Sequence, residues 1–348
     1  MTKFTTVLLW KGEGETRVSM KPFRQESGQE EKVGVDFGGL DAQIRFSLDL
    51  KRFAGNLVCE KLCVQTAEHG LYQMGQMDGT FDQYQGANGL FLGDVDFKVH
   101  HFEFQGPQGG GKAEEPFRVK GLQVKTSARE SANDLSTSAA TSMDQLGLGG
   151  FGADKALLEV EFRKLDARAV SELQSTLKGL RNLQDSQEEM SRQALAKAVD
   201  LLARLLRNSP EMEIKRFGFM TPEGELQAAA KLMVDGTQVG DSLNIASIVN
   251  ASDLEAKVDV SEKLLVRMLK SAGKKSDGGT DEDSKTEAVP DSSKEEVTDA
   301  DIQEQLADLL AQGYLKLENG TYKTSARYAK GKLTVNQRDV PLNQLLGQ

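Results

Sequence analysis

Apolar and polar positions alternate with a period of two along much of this chain. The clearest runs are residues 38–46, 117–125, 158–162 and 213–219, and the first two contain a Gly-Leu step at Gly39-Leu40 and Gly121-Leu122. A period of two sends successive side chains to opposite faces of a strand, one dry and one wet. Several such strands predict a large antiparallel sheet. The longest run, residues 91–104, sets Val95, Phe97 and Val99 on one face, and Leu122 and Val124 repeat the pattern further on. Between 128 and 150 the alternation fades. Residues 131–138 read as a polar connection and residues 147–150 as a glycine-rich flexible one.

A helical period takes over after residue 164. Asp166 is an N-cap, and Ala169, Val170, Leu173, Leu177 and Leu180 fall on one stripe. A second helix opens at Ser186, with Glu189 three residues later completing a capping box. Its apolar set is Met190, Ala194, Leu195, Ala198, Val199, Leu201, Leu202, Leu205 and Leu206, which covers roughly half the cylinder at about 100° per residue. Asn208-Ser209-Pro210 stops it. So wide a stripe predicts a helix laid on the apolar face of the sheet.

Strands resume at 212–219 and 226–234 around the turn Thr221-Pro222-Glu223-Gly224, and again at 254–260 before a short helix over 261–269. Residues 271–297 contain Lys274, Lys275, Lys285 and Lys294 among eight acidic residues and no aromatic. Such a segment cannot bury enough apolar area to offset its ordering entropy, and it is predicted to be a disordered acidic linker. A helix capped by Thr298 follows and ends at Gly313, and strands over 314–317, 322–328 and 332–335 turn at Asn319-Gly320 and Lys330-Gly331. The predicted class is α+β: a large curved antiparallel β-sheet with amphipathic helices packed on its apolar face. Its parts are a strand-rich region 1–164, a helical hairpin 165–209, further strands with a short helix 210–270, the linker 271–297, and a helix with C-terminal strands 298–348.

Charge narrows the chemistry. The net charge of −10 on 348 residues argues against phosphate-backbone binding, which needs clustered Lys and Arg. The run Gly106-Pro107-Gln108-Gly109-Gly110-Gly111-Lys112 has the spacing of a phosphate loop. It lacks the hydroxyl after the lysine, and Glu114-Glu115-Pro116 opposes a following helix, so no nucleotide is expected. The histidines are His69, His100 and His101; the adjacent pair points to opposite faces of a strand and cannot share a metal. No pair of acids stands out as a general acid–base couple and no nucleophile–base motif is present, so neither an enzyme nor a cofactor is implied. The apolar run at 5–10 is far below the roughly 20 residues of a spanning helix, and it lacks the marks of a signal peptide. Cys59 and Cys63 admit two readings. In one strand they share a face about 13 Å apart, beyond the roughly 7 Å between α-carbons that a disulfide tolerates. A tight turn at Glu60-Lys61-Leu62 would bring them together as a disulfide in an oxidising compartment.

Several strings share one likeness. They are Phe162-Arg163-Lys164-Leu165-Asp166-Ala167-Arg168-Ala169-Val170, Ser209-Pro210-Glu211-Met212-Glu213-Ile214, Thr221-Pro222-Glu223-Gly224-Glu225, and the ending Gly313-Tyr314-Leu315, Gly320-Thr321-Tyr322 and Gly331-Lys332-Leu333-Thr334-Val335-Asn336. Together they resemble the YdgA-like family of Gram-negative bacterial envelope proteins, a domain of unknown function. The resemblance implies a periplasmic protein held by an N-terminal anchor in the inner membrane, an anchor this chain does not contain, and it carries over no catalytic or ligand residues. The resulting expectation is a non-enzymatic envelope protein with an interaction or scaffolding role. The alternative is a protein that binds or transfers a lipid or other hydrophobic ligand, with Val95, Phe97, Val99, Leu122 and Val124 lining an apolar trough. Its warrant is a general likeness of architecture to AsmA-like lipid-transport proteins. The partner is thus a protein or a lipid, with no oligomeric state fixed, and the two readings part on whether the Ser186 helix fills the apolar face.

Overall fold

A computed structural model describes residues 2–9, 12–27, 33–66, 70–106, 116–181, 188–240, 244–274 and 298–341. The first half is strand after strand: β1 (Thr2–Leu9), β2 (Glu13–Met20), β3 (Phe23–Ser27), β4 (Val33–Phe37), β5 (Leu40–Ser47), β6 (Arg52–Cys59), β7 (Leu62–Thr66), β8 (Gly70–Met74) and β9 (Met77–Gln85). Four long strands follow, β10 (Phe91–Gln105), β11 (Phe117–Ser131), β12 (Asp134–Leu148) and β13 (Phe151–Asp166). A hairpin of α1 (Ala167–Arg181) and α2 (Glu188–Arg207) separates these from β14 (Glu211–Thr221) and β15 (Gly224–Val234). Then come α3 (Ile245–Ala251), β16 (Ser252–Ser261), α4 (Glu262–Lys274), α5 (Asp299–Ala311), β17 (Lys316–Glu318), β18 (Thr321–Ala329), β19 (Lys332–Val335) and β20 (Arg338–Val340).

All twenty described strands belong to one sheet. Its main line runs β1-β2-β5-β6-β9-β10-β11-β12-β13-β14-β15-β16-β18-β19-β20, every pairing antiparallel. A side branch β3-β4-β7-β8 joins the far half of β10, opposite residues 102–105. β10 is long enough to pair with both β9 and β8, so the branch shares its strand with the main line.

The predicted α+β class is corrected. Strand makes up 63% and helix 20%, with five helices among the described residues, so the protein is nearly all sheet. Two physical reasons account for this. First, the supposed connections at 131–138 and 147–150 take in the two ends of β12, whose stretch 136–142 is all Ser, Thr and Ala. Its backbone is satisfied by ladders to β11 and β13, so it needs no apolar alternation of its own. Second, the α1–α2 hairpin does not lie along the apolar face. Its roots pack at strand ends: Ala167 and Val170 against Leu90, Leu92 and Leu135, and Leu206 against Val234 and Val239. Leu202 and Val199, expected to be covered, are each 43% exposed.

Two of the three expected caps are seen, and Ser186 of the third lies outside the described residues. The Asp166 carboxylate accepts the Ala169 backbone N–H at 2.8 Å, and Thr298 with Asp301 forms a capping box on α5. The helices that do cover the sheet are α4 and α5. Leu264, Ile302 and Leu306 pack with Leu226, Val260 and Tyr322 into the largest described core cluster. Residues 271–274, placed in the linker by composition, close α4; residues 275–297 lie outside the described residues, as do His69 and residues 107–112 of the glycine run. No described helix is long and apolar enough to cross a membrane.

Candidate functional site: an apolar sheet face

Antiparallel neighbours that sit directly opposite share a face, so register alone shows what each face is made of. One row reads Phe4, Val18, Ala42, Leu57, Gly79, Phe97, Val124, Thr141, Leu158, Phe217, Ala228, Val258 and Thr324, from β1 to β18. The next reads Thr6, Thr16, Ile44, Gly55, Phe81, Val95, Thr126, Ala139, Val160, Ile214, Ala230, Ala256 and Ala326. A third joins Met20, Leu40, Cys59, Met77, Val99 and Leu122. None of the three contains a charged residue. At about 4.8 Å per strand the first row spans roughly 60 Å.

The five residues singled out by alternation therefore stand together. Val124 is opposite Phe97, Leu122 is opposite Val99, and Val95 is next along the strand on the same face. The single sequence could not show how far this face continues through β2, β5, β6 and β9, because that depends on register.

Glycines shape the face. A side chain on Gly79 would meet the Phe97 ring at 3.2 Å, one on Gly55 would meet the Phe81 ring at 3.0 Å, and one on Gly14 would collide with the Phe46 ring. Each ring lies over a glycine of the neighbouring strand. The signal was present in the sequence as isolated glycines inside strand patterns, which mark a close approach.

α4 and α5 cover the end of this face near β15, β16 and β18. Nearer the middle it is open among the described residues: Leu158 is 38%, Phe162 37% and Phe217 41% exposed, and Phe4 on β1 reaches 70%.

The opposite face is a lattice of ion pairs. Arg17 and Arg45 share Glu15, Arg52 meets Asp82, Lys125 meets Asp96, and Arg129 meets Asp94 at 2.6 Å. Arg216 meets Glu159 at 2.5 Å, while Lys215 and Arg163 share Glu161. A groove of about 630 Å³ lies on this polar face between β9 and β14, edged by Asp82, Asp94, Asp96, Lys125, Glu159, Glu161 and Lys215.

Asp94, Glu159 and Glu161 of this lattice are held in their charged form. The Arg129 guanidinium lowers the Asp94 pKa, Arg216 lowers that of Glu159, and the Lys215 ammonium lowers that of Glu161. A general acid needs the reverse, a carboxyl raised toward neutrality. Burial raises the Cys59 thiol, which opposes reactivity. His100 pairs with Asp78 at 2.9 Å and His101 with Glu103 at 3.5 Å. Cys59 closes β6 and Cys63 lies in β7, and both are free thiols on separate strands. No cluster of three or more metal-binding side chains occurs among the described residues.

A family model for bacterial proteins of unknown function, DUF945, matches residues 2–343. The chain belongs to the DUF945 family. No curated protein and no solved structure matches it. Membership in this bacterial family agrees with the coarser part of the likeness read from the sequence. The three apolar rows, free of charge and continuous across neighbouring strands, form the candidate site.

Proposed function

We propose that this protein is a non-enzymatic binder of acyl-chain lipids in the bacterial cell envelope, with the charge-free sheet face as its binding surface. The observation that carries the reading is the continuity of the apolar rows from β1 to β14, along which Phe4, Leu158 and Phe217 remain exposed. Exposed apolar areas beyond a few hundred Å² are unusual on soluble monomers and mark a binding surface. The rows offer an acyl chain dispersion contacts and no demand for hydrogen bonds beyond a few threonines. A protein partner's interface carries polar groups that want about one hydrogen bond per 100–200 Å², which this face does not supply.

The envelope setting, at the periplasmic side of the inner membrane, rests on the YdgA-like resemblance and is part of the proposal. The deciding experiment is native mass spectrometry of protein purified from its own cells. Co-purified phospholipid or fatty acid is expected. A stoichiometric protein partner with no lipid would replace this reading with scaffolding.

A further inference from the structure

One strand ends the sheet without protection, and we propose that it pairs with the same strand of a second copy of this chain. β1 bonds to β2 alone, in an unbroken register from Thr2 to Leu9. The backbone N–H and C=O groups along its outer edge therefore have no partner strand among the described residues. Such a row of alternating donors and acceptors is satisfied by another extended strand. The other described strands that end the sheet are defended. β17 and β20 are three residues long and carry Lys316, Glu318, Arg338 and Asp339, and β3 carries the ion pair Arg24–Glu26. β1 has eight residues, with no proline, no bulge and a single charge, Lys3.

The side chains of β1 are the second observation. Phe4 and Leu8 lie on the face of the charge-free rows, Val7 and Leu9 lie on the opposite face, and all four are exposed. Val7 and Leu9 stand opposite Glu15 and Glu13 of β2, on the face where the rest of the sheet carries ion pairs. A strand that is apolar on both faces has the composition of a sheet's interior rather than its edge.

Self-complementarity points to a second copy as the occupant. A two-fold axis normal to the sheet at Thr6 sets two copies of β1 antiparallel. Thr6 then meets Thr6 of the second copy, Phe4 meets Leu8, Thr5 meets Val7 and Lys3 meets Leu9. Leu9 stands opposite Glu13, so Lys3 comes within two strand spacings of Glu13 of the second copy, about 10 Å between α-carbons. Lys3 forms no ion pair in its own chain among the described residues. Glu13 has only the more distant Arg52, which is already paired with Asp82. The row through Arg17 and Thr5 of one copy likewise runs on into Val7 and Glu15 of the other, so unlike charges face each other across the join.

The same axis keeps the charge-free rows of both copies on one side. Phe4 leads into Leu8, Gly14 and Phe46 of the second copy, and Thr6 leads into Thr6, Thr16 and Ile44. The apolar rows thus run unbroken from one copy into the next. Nothing in this pairing depends on the acyl-chain reading, because it needs only the edge of β1 and is measured without lipid.

The test is sedimentation equilibrium of the full chain. A reversible dimer of twice the 38.0 kDa chain mass is expected at micromolar concentration. Thr6→Lys sets two like charges directly opposite each other on the axis and is expected to weaken the dimer about tenfold or more, with unchanged circular dichroism. Cross-linking reads the register. Thr6→Cys places two thiols across the axis at a separation a disulfide tolerates, and a covalent dimer is expected with oxidised glutathione as the oxidant. Thr5→Cys, offset along the strand, and the wild type with Cys59 and Cys63 are expected to give little. A wild type that stays monomeric at about 100 μM overturns the proposal and leaves β1 to a strand of another protein. A dimer left intact by a folded Thr6→Lys, or equal cross-linking at positions 5 and 6, overturns it as well. Should Thr6→Lys misfold, the cross-linking decides.

Discussion

Three phenyl rings lie over glycines on the apolar face, Phe46 on Gly14, Phe81 on Gly55 and Phe97 on Gly79. Glycine inside a strand is entropically costly, and a ring from the next strand recovers part of that loss by covering the bare backbone. The arrangement also leaves each ring broadside to whatever meets the face. Gly55 is the least forgiving case, since a methyl group there would strike the backbone carbonyl of Gln43 as well as the Phe81 ring. Gly55→Ala is expected to cost about 1–3 kcal/mol of stability, read from urea unfolding; an unchanged midpoint would mean that the strands part easily at this point. At this scale the sequence was informative about direction and silent about partners. Alternation sorted Val95, Phe97, Val99, Leu122 and Val124 to one face, because period two is a local property. The match of each ring to a glycine 18 to 32 residues away was not legible, because it depends on register between strands.

Helices show where packing overrides pattern. The described part of the α2 stripe is divided: Leu206 packs at strand ends, and Leu201 is 1% exposed while Leu202, the next residue, is 43% exposed. The narrower α4 supplies the fully buried Leu264 against Leu226, Val260 and Tyr322. Leu264→Ala is therefore expected to cost about 2–5 kcal/mol, and Leu202→Ala about 1 kcal/mol or less. Denaturant unfolding of the two variants checks the ranking, and the opposite order would place α2 on the sheet. Strands supply the contrasting case. β5, β10 and β11 were legible from their alternation, whereas β12 was not, because a strand flanked on both sides can be built from Ser, Thr and Ala. The caps at Asp166 and Thr298 were legible because they are written within four residues.

The whole molecule is a single sheet with a charged side and a side that carries the three charge-free rows, and each side predicts a behaviour. On the charged side, Glu15, Asp94, Glu159 and Glu161 have pKa values lowered by Arg17, Arg129, Arg216 and Lys215. A carboxylate with a lowered folded-state pKa binds its proton more readily in the unfolded chain, so acid favours unfolding. Stability contributed by these pairs is present above the ordinary glutamate value of 4.5 and is lost as pH falls through the lower folded-state values. The pairs are solvent-screened, so high salt is expected to shrink the effect. Thermal melts across acid pH at two salt concentrations check both the sign and the screening. On the side of the rows, the central claim is an apolar face that is open to a ligand. The most direct measurement is titration of a fluorescent fatty acid against wild-type protein and Phe97→Glu, with circular dichroism confirming that both are folded. Saturable binding by the wild type and its loss in the variant are expected, because the charge interrupts a row with no other charge from β1 to β18. Absence of binding by the wild type, or undiminished binding by a folded Phe97→Glu, would contradict it.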